Sequence, residues 1–168
     1  MSKLYKAILL DAMDKPLEAS QAYEEVLGTE HLSLDTMLNA AVLYFVCLDG
    51  GYAAAHHLPE TFLTTAWERA FELLNQADSL YHQPPEVEFW RLYFLFILLG
   101  DDPAYDICEQ MVNGKGLLIP VFHLLSSPRG TVYVDAARKL LDQVREGKTA
   151  KQRYIQSVTE SGLMLLNP

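Results

Sequence analysis

The sequence predicts an all-α protein, a row of helix pairs packed side by side. Three observations carry this expectation. Helix-forming residues dominate the 168 positions, helix start and stop signals recur along the chain, and apolar residues return at spacings of three and four.

Each element follows from its own punctuation. A first helix is expected over 3–13, and Asp14-Lys15-Pro16 separates it from a second at 16–27. Proline is tolerated in a first helical turn, where its missing N–H has no intrahelical partner anyway. Ser33 is a candidate N-cap for a helix at 34–48. Pro59-Glu60, Pro85-Glu86 and Asp102-Pro103 open helices at 59–81, 85–99 and 103–113. A short helix at 117–125, one at 131–146 behind Thr131 and a last at 149–161 behind Thr149 complete the series. Gly28, Gly100, Gly114, Gly147 and Gly162 each follow a periodic stretch, where a left-handed cap wants glycine.

Two segments ask for more thought. Leu92–Leu99 is apolar on every side, but it continues directly from the Pro85-Glu86 start, so it reads as a covered, central helix. Segment 49–57, with Gly50-Gly51 and a run of small residues, is expected to be the longest irregular connection and the least protected from hydrogen exchange.

Composition bounds the function. Half of the residues are hydrophobic, which excludes a disordered chain. The net charge of −9, from 13 basic against 22 acidic residues, argues against nucleic acid and against anionic membranes as partners. The apolar run at 92–99 is too short to span a bilayer, and Lys6 and Asp11 break the first apolar stretch before it could serve as a secretory core. A cytoplasmic location is the expectation. Cys47 and Cys108 lie in apolar stretches without metal-ligand spacing and read as core thiols.

Catalytic and metal chemistry find little support. Among His31, His56, His57, His82 and His123, no two share a helix face at i, i+4. The adjacent His56-His57, with Asp49 as a third donor, reads as a solvated loop pair, and His123 as a hydrogen-bonded core residue. In Glu24-Glu25 and Asp101-Asp102 neighbouring helical side chains point about 100° apart, so neither pair serves one cleft. No nucleophile elbow, phosphate loop or dinucleotide fingerprint occurs. The expectation is a protein without catalytic activity, cofactor or metal.

An internal repeat is visible. Ala19, Tyr23 and Val26 share one helix face, and Ala70, Leu74 and Ala77 repeat that spacing. Met37, Ala40, Ala41 and Tyr44 are matched in spacing by Phe89, Leu92, Tyr93 and Phe96. Pair starts near 3, 34, 86 and 117 lie 31, 52 and 31 residues apart, the middle interval being lengthened by the 49–57 segment and a long second helix. At these residues, over roughly 16–113, the chain resembles the tetratricopeptide repeat, a helix–turn–helix unit of about 34 residues. Tyr93 departs from it, occupying a position that is usually small.

The resemblance implies a right-handed α–α superhelix of three to four stacked antiparallel hairpins. It would form a single domain over 1–168, with pairs at 3–28, 34–81, 85–113 and 117–146 and a C-terminal helix at 149–161. It also implies a concave groove, lined by first helices, that holds a peptide or partner helix. Trp90, Arg91 and Phe94, with Asn39 and Tyr44 from the preceding pair, are the expected binding residues; packing within an all-apolar helix is the alternative for the two rings. Phe89, Leu92 and Phe96 would face the interior, so Phe96→Ala should cost about 3–5 kcal/mol and Trp90→Ala clearly less. The function implied is that of an adaptor, scaffold or secretion-type chaperone. Two other classes stay open: a small acidic inhibitor, such as an immunity protein blocking a toxin enzyme, and an enzyme or ligand carrier with an interhelical pocket. The partner is expected to be another protein or peptide, with a homodimer as a further option.

Overall fold

The computed structural model describes residues 2–29 and 32–166; His31 lies outside them. Among the described residues the chain is helical throughout, without a strand. In order the helices are α1 (Lys3–Ala12), α2 (Pro16–Leu27), α3 (Leu34–Cys47), α4 (Gly50–Ala55), α5 (Glu60–Leu80), α6 (Pro85–Leu99), α7 (Tyr105–Lys115), α8 (Val121–Leu124), α9 (Val134–Val144) and α10 (Ala150–Leu166), with a 3-10 turn at Gly130–Tyr133.

The helix starts largely act as expected, but of the five glycines expected as left-handed caps only Gly100 is one; Gly28 ends α2 at φ −76°, and Gly147 is not left-handed. Ser33 Oγ accepts the Thr36 N–H at 3.1 Å to open α3, and Pro16 and Pro85 sit in the first turns of α2 and α6. Gly100 ends α6 at φ 69°, in the left-handed region that a Cβ disfavours. The equivalent stop on α7 is Gly116 at φ 67°, while Gly114 lies within the helix. Gly162 is not a stop either. It lies inside α10, where a Cβ would come within 2.8 Å of Leu125 Cδ1, so the residue serves a close approach. Thr131 falls inside the 3-10 turn and does not cap α9.

Segment 49–57 differs from expectation. Residues 50–55 form α4, opened by Asp49, whose carboxylate accepts the Tyr52 N–H at 2.8 Å. Tyr52 donates its hydroxyl to Asp14 at 2.7 Å, and His56 Nε2 lies 3.2 Å from the other Asp14 oxygen. An N-cap and two side-chain ties outweigh the poor helix propensity of two glycines.

The chain divides into two compact units, Met1–Gln83 with Lys148–Lys151, and Pro84–Gly147 with Gln152–Pro168. In the first, α1 packs on α2, α2 on α3, and α3 on α5. Every residue of α3 from Thr36 to Phe45 is buried, so α3 is the central helix of that unit. The repeated faces Ala19-Tyr23-Val26 and Ala70-Leu74-Ala77 are all buried. In the second unit α6 buries Val87, Phe89, Trp90, Tyr93 and Phe94 but leaves Ile97 and Leu99 exposed. It is a core helix over its first two-thirds and a surface helix at its end.

Candidate functional site

The expected binding residues fall in different units and are mostly covered. In the first unit Asn39 is buried in a polar network. Its Nδ2 donates to Asp35 at 3.3 Å, and its Oδ1 accepts from the Thr149 hydroxyl at 3.1 Å. Lys151, itself buried, reaches the same Asp35 at 2.6 Å. Beside them Asp11, only 1% exposed, accepts from the Tyr23 hydroxyl at 3.0 Å and from the Ala150 N–H at 2.7 Å. Among the described residues no buried side-chain polar atom lacks a partner. The network therefore spends its hydrogen-bonding capacity on holding the start of α10.

Tyr44 is likewise an internal tie. Its hydroxyl donates to Glu24 at 2.9 Å, and Arg69 grips the same carboxylate through Nε and a terminal nitrogen, both at 2.8 Å. Burial, and then the Glu24 charge, hold the Tyr44 proton well above the usual tyrosine range. Burial, then Asp11 and Asp14, push the Cys47 thiol up to about 12, and burial, then Glu88, do the same for Cys108. Neither cysteine is a nucleophilic thiolate near neutral pH.

In the second unit Trp90 and Phe94 are fully buried, against the expectation of an exposed groove. Trp90 Nε1 donates to Glu86 at 3.3 Å. Its ring lies 5.8 Å from Phe94, 5.9 Å from Phe122 and 6.5 Å from Tyr154 between centroids. The physical reason is cover: Phe122 on α8 and Tyr154 on α10 close over the face that the repeat pattern assigns to a groove. Conversely Leu92 and Phe96, expected inside, are only partly buried. Arg91 is half-buried on the same helix.

His123 sits in this core with Nε2 2.6 Å from the Pro103 carbonyl oxygen. A carbonyl only accepts, so Nε2 carries the proton in the neutral ring. Burial lowers the His123 pKa, opposed by that carbonyl bond. In the first unit, His56 pairs with Asp14 while Asp49 caps α4, so these do not converge on one ion. Among the described residues no three His, Cys, Asp or Glu side chains form a metal-sized group.

What the second unit does present is a hollow of about 650 Å³ at the junction of α6 and α7. Leu92, Leu95 and Ile107 supply apolar lining, and Asp101, Asp102 and Asp106 supply acid, with no basic residue lining it. The turn that builds it is local. Gly100 stops α6, Asp102 accepts the Ala104 N–H at 2.6 Å, and Ala104 takes φ 51° immediately before α7. A non-glycine residue in that conformation costs about 1–3 kcal/mol, which the Asp102 bond helps to offset. A second, shallower depression of about 590 Å³ shares Asp106 and runs along α7 past Glu109, Gln110 and Asn113. Leu99, one residue before Gly100, is 60% exposed.

The helical divergence expected to keep Asp101 and Asp102 out of one cleft does not apply, because both lie in the irregular turn between α6 and α7 and line one hollow with the end of the apolar run that the sequence assigns to the core. The usable signal was their adjacency: an apolar helix end running straight into acids. No protein-family model, no curated protein and no solved structure matches this chain. No helix among the described residues is long and apolar enough to cross a membrane.

Proposed function

We propose that the protein is a non-catalytic binding module that takes a basic, partly apolar segment of another protein into the α6–α7 hollow. The observation that carries this reading is the hollow's composition. Apolar side chains line a concavity bearing three aspartates, on a chain of net charge −9. Apolar anchors would supply most of the affinity, and the acids would supply orientation, encounter rate and rejection of acidic segments. The helix pairs are read as tetratricopeptide-like, a reading supported by the two buried faces on α2 and α5 in which a small residue is followed by a large apolar one and a further apolar one. The groove of that reading moves from Trp90 and Phe94 to Leu92, Leu95 and Ile107.

The test is fluorescence anisotropy with a labelled amphipathic Lys/Leu peptide and an acidic Glu/Leu counterpart. The basic peptide should bind, and Asp101→Asn with Asp106→Asn should weaken it roughly tenfold, an effect that fades in high salt. Asp102 is left intact because it supports the turn. Equal binding of the acidic peptide, or an unchanged affinity in the double variant, would remove the proposal.

A further inference from the structure

The α6–α7 hollow has an aromatic wall residue, Tyr105, and the groups behind it hold its ring in place. Tyr105 is the first residue of α7 and lines the hollow next to Asp106 and Ile107. Its hydroxyl donates to the Ser126 carbonyl oxygen at 3.3 Å. The His123 ring lies 4.9 Å away between centroids with the planes 35° apart, so it backs one side of the Tyr105 ring. His123 is itself fixed by its 2.6 Å bond to the carbonyl of Pro103, another wall residue, and by Phe96 at 5.0 Å and Tyr93 at 5.3 Å. The hollow therefore contains a flat ring whose tilt is set from behind.

Charge narrows what such a wall can take. Asp101 and Asp106 enter no ion pair among the described residues, and no basic residue lines the hollow. Burial lowers the His123 pKa, so near neutral pH the ring behind Tyr105 is uncharged and does not repel a cation. A cation over an aromatic face is attracted by the ring quadrupole, whereas an anion meets carboxylates. Lysine and arginine are not equivalent there. An ammonium is a compact, strongly hydrated point charge. A guanidinium is planar and weakly hydrated, and it can stack on a ring while its edge N–H groups fork onto a carboxylate. Its methylene stem suits the apolar lining of Leu92 and Leu95.

We propose that the hollow is an arginine-selective site, in which Tyr105 stacks on a guanidinium of the partner segment and Asp101 and Asp106 accept its N–H groups. The assignment rests on the reading of the hollow as a peptide site and names the side chain the segment has to carry. Tyr105 is then the specificity-determining residue, and the acids set the sign of the charge.

The test compares an amphipathic Arg/Leu peptide with its Lys/Leu counterpart by fluorescence anisotropy at neutral pH. The wild type should bind the arginine peptide about threefold to tenfold more tightly. Tyr105→Leu should bring the two affinities within about twofold, and Tyr105→Phe, which keeps the ring and loses the hydroxyl, should retain the preference. A measurement on the unaltered protein guards against a variant that unfolds: in the bound Arg/Leu peptide, proton NMR should show arginine δ-methylene signals shifted upfield by the ring current. Equal affinities in the wild type, a preference that survives in folded Tyr105→Leu, or unshifted δ-methylene signals would each overturn the arginine assignment. If the Lys/Leu peptide still binds in those cases and loses affinity in the Asp101→Asn, Asp106→Asn variant, the peptide-site reading stands without it. If neither peptide binds, both fall.

Discussion

In the first unit, Asp11, Asn39 and Lys151 tie helices together through directed hydrogen bonds carried into the core. In the second, Phe89, Trp90, Tyr93, Phe94 and Phe122 do the equivalent work with rings, with polar contacts at the Tyr93 and Tyr154 hydroxyls, at His123 and at the Trp90 N–H. The difference is one of specification. A buried carboxylate that accepts the Ala150 N–H favours one placement of α10's first residue, because any other takes a donor away from a buried charge. A cluster of rings rewards burial over a range of geometries and fixes its arrangement by shape. The first unit is thus sensitive to single polar atoms, and the second to lost volume.

The largest expected effect lies in the ring cluster. Trp90→Ala should cost about 3–5 kcal/mol in chemical denaturation, as truncation of a fully buried aromatic does. Phe96→Ala should cost less, because Phe96 is only partly buried. This reverses the order expected from the repeat pattern. A Phe96 loss equal to that of Trp90 would mean the cluster is not centred where the structure puts it.

Asp11→Ala should follow at about 2–4 kcal/mol, since it strands the Tyr23 hydroxyl and the Ala150 N–H. Asp11→Asn should cost less, as its amide oxygen can still accept one of them. The comparison sharpens in a double-mutant cycle. Tyr23→Phe combined with Asp11→Ala should lose less than the two single losses together. Additive losses would break the claim that the two residues act as one tie.

The smallest effect is pH-dependent and belongs to His123. Burial holds its folded pKa below the ordinary value of about 6.5 reached on unfolding. The unfolded chain therefore binds more protons in that window, and stability should fall as pH drops from about 6.5 towards the folded value. His123→Gln should flatten this part of the denaturation profile. An unchanged slope would mean that His123 titrates alike in both states.

Much of the fold was legible because helix punctuation is local. Ser33, Pro16 and Pro85 mark their helices within a turn of the observed starts. Burial is not local. Which face of α6 is covered depends on Phe122 and Tyr154, tens of residues away, and nothing in 85–99 announces them. Asp11 was visible as a charge breaking an apolar stretch, but its acceptor role required Tyr23 and Ala150 to be brought to it. At α4, the Gly50-Gly51 pair masked a sound N-cap in Asp49. The hollow escaped because its two halves, an apolar helix end and an acidic turn, each had an ordinary explanation alone.

On the proposed function the working surface is the α6–α7 hollow and not the face of Trp90 and Phe94. Hydrogen exchange with and without the basic amphipathic peptide tests this most directly. Peptide binding in the hollow should add protection across 100–110, where Gly100 ends one helix and Ala104 precedes the next, with the first unit unchanged. Binding that leaves 100–110 unprotected and slows exchange in another segment would contradict it.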